Sequence, residues 1–181
     1  HLIDELREQY DDLPEVLTFL DEVKQDVIEE GEQLREQSKN DGDAGSNTIS
    51  GALSTLRYQV NLLVDNAGTG AAPVVYEDNP IYPNLVGRVD HIAQMGTLLT
   101  NFTLIKSGAL HRANGGYLIL DALKLLVQPY AWEGLKRALQ SSQVRIESLG
   151  QAWGLVRTMS LEPEPMPLQL KVVLVGERRI Y

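Results

Sequence analysis

The string GALHRANGGYLILDA, residues 108–122, carries a run of four apolar side chains, Tyr117 to Leu120, that ends on a single carboxylate, Asp121. A short apolar run after a glycine turn reads as a buried strand, and open parallel sheets bind ligands at the carboxyl ends of their strands. An acid placed there can hold a hard divalent cation, through its waters, beside nucleotide phosphates, because Mg2+ takes oxygen ligands and phosphoryl transfer draws on its charge. It can equally do no more than cap the next helix. The residue after it is Ala122, whose methyl group cannot polarise water. A second apolar run, Lys171 to Val175, stops at Gly176 and is followed by Glu177, Arg178 and Arg179. Glu177 is a candidate for positioning water, or simply a surface residue that begins a helix. The two arginines suit phosphate or a neighbouring subunit, or plain solvation. His111 reads as a packing or capping residue rather than a metal ligand, since no ligand spacing accompanies it.

Some chemistry is absent from the sequence. There are no cysteines, which removes disulfides and thiolate metal sites. No GxxxxGK[ST] string occurs, and the glycine-rich stretch AGTGAA, residues 67–72, lacks the lysine that reaches phosphates, so the chain alone is expected to bind ATP poorly. No serine has a base at recognisable spacing.

Two kinds of element must position these residues. In the first third, Leu2, Leu6, Leu13, Val16, Leu20, Val23, Val27 and Leu34 recur at steps of three, four or seven, the seam of one long helix, with a break near Pro14. The polar stretch Ser38 to Asn47 follows, and the spacing returns at Ile49, Leu53, Leu56, Val60 and Leu63. This predicts an antiparallel helical hairpin over residues 1–66, a strut or a contact arm. After a linker at 67–72 the pattern changes to short β-branched runs between Gly, Pro and Asn, an α/β reading for 73–181. The expected order is a strand at Pro73 to Glu77, a Pro-bearing loop at Asn79 to Asn84, and a small hairpin over Leu98 to Ile105 turning at Thr100 and Asn101. A short helix capped by Ser107, the strand ending at Asp121, and a helix around Trp132 to Leu139 come next. A second hairpin, Val144 to Ser148 with Leu155 to Leu161, and the strand Lys171 to Val175 complete it.

The formal charge of −9 is uneven. Residues 1–43 hold 15 acidic and 4 basic side chains, a balance of −11, while residues 44–181 hold 10 and 12, a balance of +2. The acidic arm would be repelled by a phosphate backbone, which argues against nucleic acid as its partner. No run approaches the roughly 20 apolar residues that span a bilayer, and nothing resembles a secretory signal, so a cytoplasmic setting is expected, with no membrane partner. The start at His1 and the finish at Tyr181 suggest a piece of a longer protein.

The segments NLVG (84–87), MGTLLTNF (95–102) and GALHRANGGYLILDA (108–122) resemble the second half of an AAA+ core, in which a loop with a substrate-contacting tip precedes the Walker B strand. Bacterial enhancer-binding activators share that layout. The likeness to Lon-like ATP-dependent proteases extends further, over QPYAWEGLKRAL (128–139), VRIESL (144–149), SLEPEPMPL (160–168) and KVVLVGERRIY (171–181), and covers nearly all of residues 73–181. The chain thus resembles an internal piece of the ATPase region of the bacterial Lon-related proteases, whose AAA+ domain is divergent. The resemblance implies a partial AAA+ P-loop-type core with parallel strands, helices and two β-hairpin insertions, preceded by the helical arm. It makes Asp121 the Walker B aspartate and puts Ala122 where relatives carry a glutamate. The strand at 171–175 becomes the sensor-1 strand, with Glu177 as a substitute for positioning water and Arg178 and Arg179 near phosphate or a neighbouring subunit.

By the same resemblance, Leu98, Leu99 and Phe102 in the first hairpin and Trp153 at the glycine-flanked tip of the second would grip unfolded polypeptide through sequence-tolerant apolar contact. Trp153 can also fold back on its own domain. ATP and Mg2+ are the implied cofactors, and unfolded proteins and further copies in a ring the implied partners. The parent would be an ATP-dependent serine endopeptidase whose Ser and Lys dyad lies outside this chain, leaving the isolated piece catalytically silent. An AAA+ transcription activator or DNA remodeller is the alternative, and a non-hydrolysing scaffold, favoured by Ala122, is the third.

Overall fold

In a computed structural model the described residues are 2–40, 58–68, 70–94, 97–147 and 161–180, with main chain only at 30, 32–40, 94, 97–98 and 180. The chain divides into two compact units, residues 1–59 and 60–181.

In the first unit α1 (Leu2–Gln9) and α2 (Pro14–Asn40) are separated where Pro14 begins the second helix, a position in which its missing N–H costs nothing. Asp4 pairs with Lys24 and Arg7 with Asp21, so partners advance along α2 as they retreat along α1, and the two helices run antiparallel. Such exposed pairs stabilise little. Leu20 is buried, whereas Leu13, Val27 and Ile28 stay exposed. The expected partner helix over Ile49 to Leu63 falls mostly outside the described residues, and its last part, 59–63, has no regular secondary structure. The Tyr58 hydroxyl donates to Asp26 at 2.7 Å, which brings the chain back to the middle of α2.

The second unit is built on a parallel sheet in the order β1 (Val74–Glu77), β6 (Tyr117–Asp121), β9 (Lys171–Val175). The register runs Val74 beside Tyr117 beside Lys171, and Asp121 lies beside Val175. The strands start together because Gly116 permits it: a Cβ there would lie 1.9 Å from the Pro73 carbonyl oxygen. Through that close approach Tyr117 N–H donates to Pro73 O at 2.8 Å, and Lys171 N–H donates to Gly116 O at 2.9 Å.

Alternation along the strands sends Leu118 and Leu120 into a core shared with α3 (Tyr82–Val86), α4 (Ala109–Arg112), α5 (Ala122–Val127) and α6 (Ala131–Ser141). Leu85, Leu110, Leu125 and Leu135 are fully buried with them, each stabilising by about 1.5–3 kcal/mol. The opposite face keeps Val74, Tyr76, Val173 and Val175 exposed, and the outer edge of β9 has no strand partner among the described residues.

Four local expectations change. The loop expected at Asn79 to Asn84 holds α3, started by Pro83 in its first turn. The helix α5 follows Asp121 directly. The first hairpin pairs β3 (Ile92–Gln94) with β4 (Thr97–Leu99), so it turns before Thr100, and Asn101 instead caps a 3-10 turn at Phe102–Leu104 by accepting from Thr103 N–H. Around its base β2 (Arg88–Val89) pairs with β5 (Ile105–Lys106). The cap of α4 is Gly108 rather than Ser107. Of the second expected hairpin, β7 (Gln143–Val144) pairs with β8 (Met166–Pro167), while its second arm at Leu155 to Leu161 lies almost wholly outside the described residues.

Candidate functional site

Asp121 ends the middle strand of the sheet and caps α5, its Oδ1 accepting the Lys124 N–H at 2.9 Å. Both readings of this residue therefore coexist in one side chain: one oxygen caps, and the other has no protein partner among the described residues. Glu77 ends β1 on one side with Asp78 directly after it, and Gly176 and Glu177 follow β9 on the other. Adjacent strands lie about 4.8 Å apart, so the register alone gathers these carboxylates at one edge of the sheet.

Sequence reasoning missed the cation that organises this edge. Lys124, one turn into α5, sends its ammonium group back to the Asp78 carboxylate and main-chain oxygen. That hydrogen bond holds the Asp78 carboxyl below its usual range and raises the Lys124 pKa. Glu77 is tied separately, to Arg112 at 2.7 Å and to the Asn79 N–H at 3.1 Å. The available signal was the spacing: a lysine three residues after a capping aspartate starts its side chain on the same turn.

Ala122 is buried, its methyl in the protein interior. Glu177, Arg178 and Arg179 are exposed, the arginines opening a 3-10 turn at Arg178–Ile180. His111 takes the capping role: its Nδ1 accepts the Gly108 N–H at 3.2 Å, and burial lowers its pKa to about 4. Among the described residues no three His, Asp or Glu side chains form a metal cluster, and no helix is long and apolar enough to cross a membrane.

The residues nominated for polymer contact separate. Leu99 lies exposed on β4, opposite Ile92, which is exposed as well and escaped sequence reasoning. Phe102 is not in the hairpin; it sits half-buried in the 3-10 turn, where Asn61 donates to its carbonyl at 2.8 Å. The Leu98 side chain and Trp153 lie outside the described residues.

The arrangement is chemically suited to a hard cation at its edge: a carboxylate fixed by a cap at a strand end keeps one oxygen with no protein partner among the described residues. A family model described as "LonB-like, AAA domain" matches residues 70–181. A protein of Escherichia coli (strain K12) named "Putative Lon protease homolog" is 36% identical over 74 residues, which is 41% of this chain and 12% of that protein. The aligned segment thus spans about an eighth of the relative's length.

Proposed function

The chain belongs to the LonB-like AAA domain family, and from that premise we propose that it is an internal part of the ATPase module of a Lon-like ATP-dependent serine protease. In this reading the module couples nucleotide binding and hydrolysis to unfolding and threading of protein substrates. The observation that carries it is Asp121, which ends the central strand with one carboxylate oxygen capping α5 and the other without a protein partner among the described residues. That oxygen would hold the waters of Mg2+. The cation, when bound with ATP, supplies charge to the phosphates undergoing transfer. The chain's own residues orient the carboxylate through the Lys124 N–H, and the Lys124 ammonium is bonded to Asp78.

Ala122 supplies no acid or base. Asp78 is engaged by Lys124, which makes its carboxylate a weak base, and this favours Glu177 for positioning water from the neighbouring strand end. Arg178 and Arg179 beside it are assigned to phosphate or an adjoining subunit of a homo-oligomeric ring. The exposed Leu99 and Ile92 on the first hairpin, with Trp153, are assigned to contact with unfolded polypeptide.

Asp121→Asn in the intact protein is the test. Asparagine accepts the Lys124 N–H as well as aspartate does, so the cap and the fold persist while the charge that holds the cation is lost. ATP hydrolysis should fall about a hundredfold, or about 2.7 kcal/mol in the barrier. An unchanged rate would overturn the motor reading and leave the scaffold supported by Ala122.

A further inference from the structure

Among the asparagines of the chain only Asn114 precedes a glycine, Gly115. With no side chain on Gly115, its main-chain nitrogen is unshielded and can approach the Asn114 carboxamide. Each half of this pair is required by the fold. Gly116 N–H donates to Ala113 O at 2.9 Å, closing a turn whose third residue, Gly115, has φ 81. That is the glycine position of a type II turn. Asn114 fastens the turn to residues 167–169: its Nδ2 donates to Pro167 O at 3.0 Å, and its Oδ1 accepts the Gln169 N–H at 2.8 Å. The Gly115 N–H donates to Gln169 O at 2.8 Å.

We infer that Asn114 is a site of spontaneous deamidation which the fold holds shut, so that the modification marks chains that have opened. In the opened chain the Gly115 nitrogen gives its proton to hydroxide and attacks Asn114 Cγ. The new C–N bond closes a five-membered imide, and Nδ2 takes up a proton and leaves as ammonia. Water then opens the imide. Cleavage at Cγ leaves aspartate, whereas cleavage at the main-chain carbonyl leaves isoaspartate, with the chain running through Cβ and Cγ. One water is consumed, one ammonia is released, and nothing is oxidised or reduced. In the folded chain water reaches the site, since Gly115 is exposed and Asn114 half-buried. Both ends of the carboxamide and the proton on the attacking nitrogen are nevertheless engaged by residues 167–169, and those three hydrogen bonds must be released before the imide can close.

Refolding does not undo the change. A carboxylate at position 114 still accepts the Gln169 N–H but has no donor for Pro167 O, and isoaspartate lengthens the main chain of the turn. This turn delivers Gly116 to its close approach on Pro73 O, from which Tyr117 N–H and Lys171 N–H continue the three strands. Either product therefore loosens the start of the sheet. The site stands at the other end of β6 from Asp121 and does not rest on the nucleotide reading.

The experiment incubates the intact protein in mildly alkaline buffer, with and without concentrated guanidinium chloride, and follows the tryptic peptide 113–124 by mass spectrometry for replacement of NH2 by OH. Each of the three hydrogen bonds should slow the folded reaction about fivefold, which puts the folded rate about a hundredfold below the unfolded one. A folded rate within about tenfold of the unfolded rate would overturn the protection. Gly115→Ala shields the attacking nitrogen and should abolish most of the mass gain in denaturant, a reading that does not require the variant to fold. An unchanged unfolded rate there would exclude attack by the Gly115 nitrogen and sink the proposal. Asn114→Asp, which is one of the two products, should lower the folding equilibrium constant about tenfold in a denaturant titration. A variant as stable as the parent would show that the modification leaves no mark on the fold, and would overturn that part of the inference.

Discussion

Acidification should weaken the second unit through a single side chain. His111 Nδ1 accepts the Gly108 N–H, and burial, the only cause of its shift, brings its pKa from 6.5 to about 4. In the unfolded chain the imidazole returns to about 6.5, so below that pH the unfolded state binds more protons. Stability is therefore full above pH 6.5 and is lost as pH falls towards 4, where the folded ring also protonates. From these two values, moving from pH 7.5 to 5 costs about 2 kcal/mol, while most carboxylates remain ionised. With a urea dependence of about 2 kcal/mol per molar, the midpoint should drop by about 1 M. The assay is urea unfolding of the chain, followed by Trp132 emission in a Trp153→Phe background. His111→Asn keeps an acceptor at similar reach to the Gly108 N–H but does not titrate, and its midpoint should stay nearly level over the same range. A parallel fall in both proteins would refute the reasoning.

Gly134→Ala sets two effects against each other. Alanine gains about 1 kcal/mol of helix propensity, but its Cβ would stand 2.6 Å from the buried Tyr82 ring, and such overpacking costs about 1–3 kcal/mol. A net loss of about 1 kcal/mol is expected in urea unfolding; a more stable protein would contradict the packing of α3 on α6. Ser142 caps α6 at φ 51, a left-handed conformation that glycine adopts freely. Ser142→Gly should raise stability by about 0.5–1 kcal/mol by the same measurement, and a loss would show that the Ser142 conformation carries no strain.

The strands were legible where neighbouring residues decided them. Tyr117 to Asp121 and Lys171 to Val175 are apolar runs with glycine beside them, and both are strands of the sheet. The short helix α3 was not legible, because Tyr82, Pro83 and Asn84 read locally as a turn. It is held as a helix with Tyr82, Leu85 and Val86 buried, and its anchor, Gly134, lies 52 residues further on. The first hairpin was misplaced for a related reason. Asn101 is a good turn residue, but here it spends that property capping a 3-10 turn, a choice set by the pairing of Arg88–Val89 with Ile105–Lys106.

The sequence by itself determined that a carboxylate ends a buried strand, that no phosphate loop or cysteine chemistry is present, and that acid is concentrated in the first 43 residues. These are properties of composition and of short-range pattern, and packing does not alter them. Only the tertiary structure decided that Asp121 caps α5, that Lys124 holds Asp78 beside it, and that Tyr82, Arg137 and Arg145 line one groove. Those facts depend on strand register and on close approach at Gly116 and Gly134, where residues far apart in the chain meet at distances that local pattern does not encode.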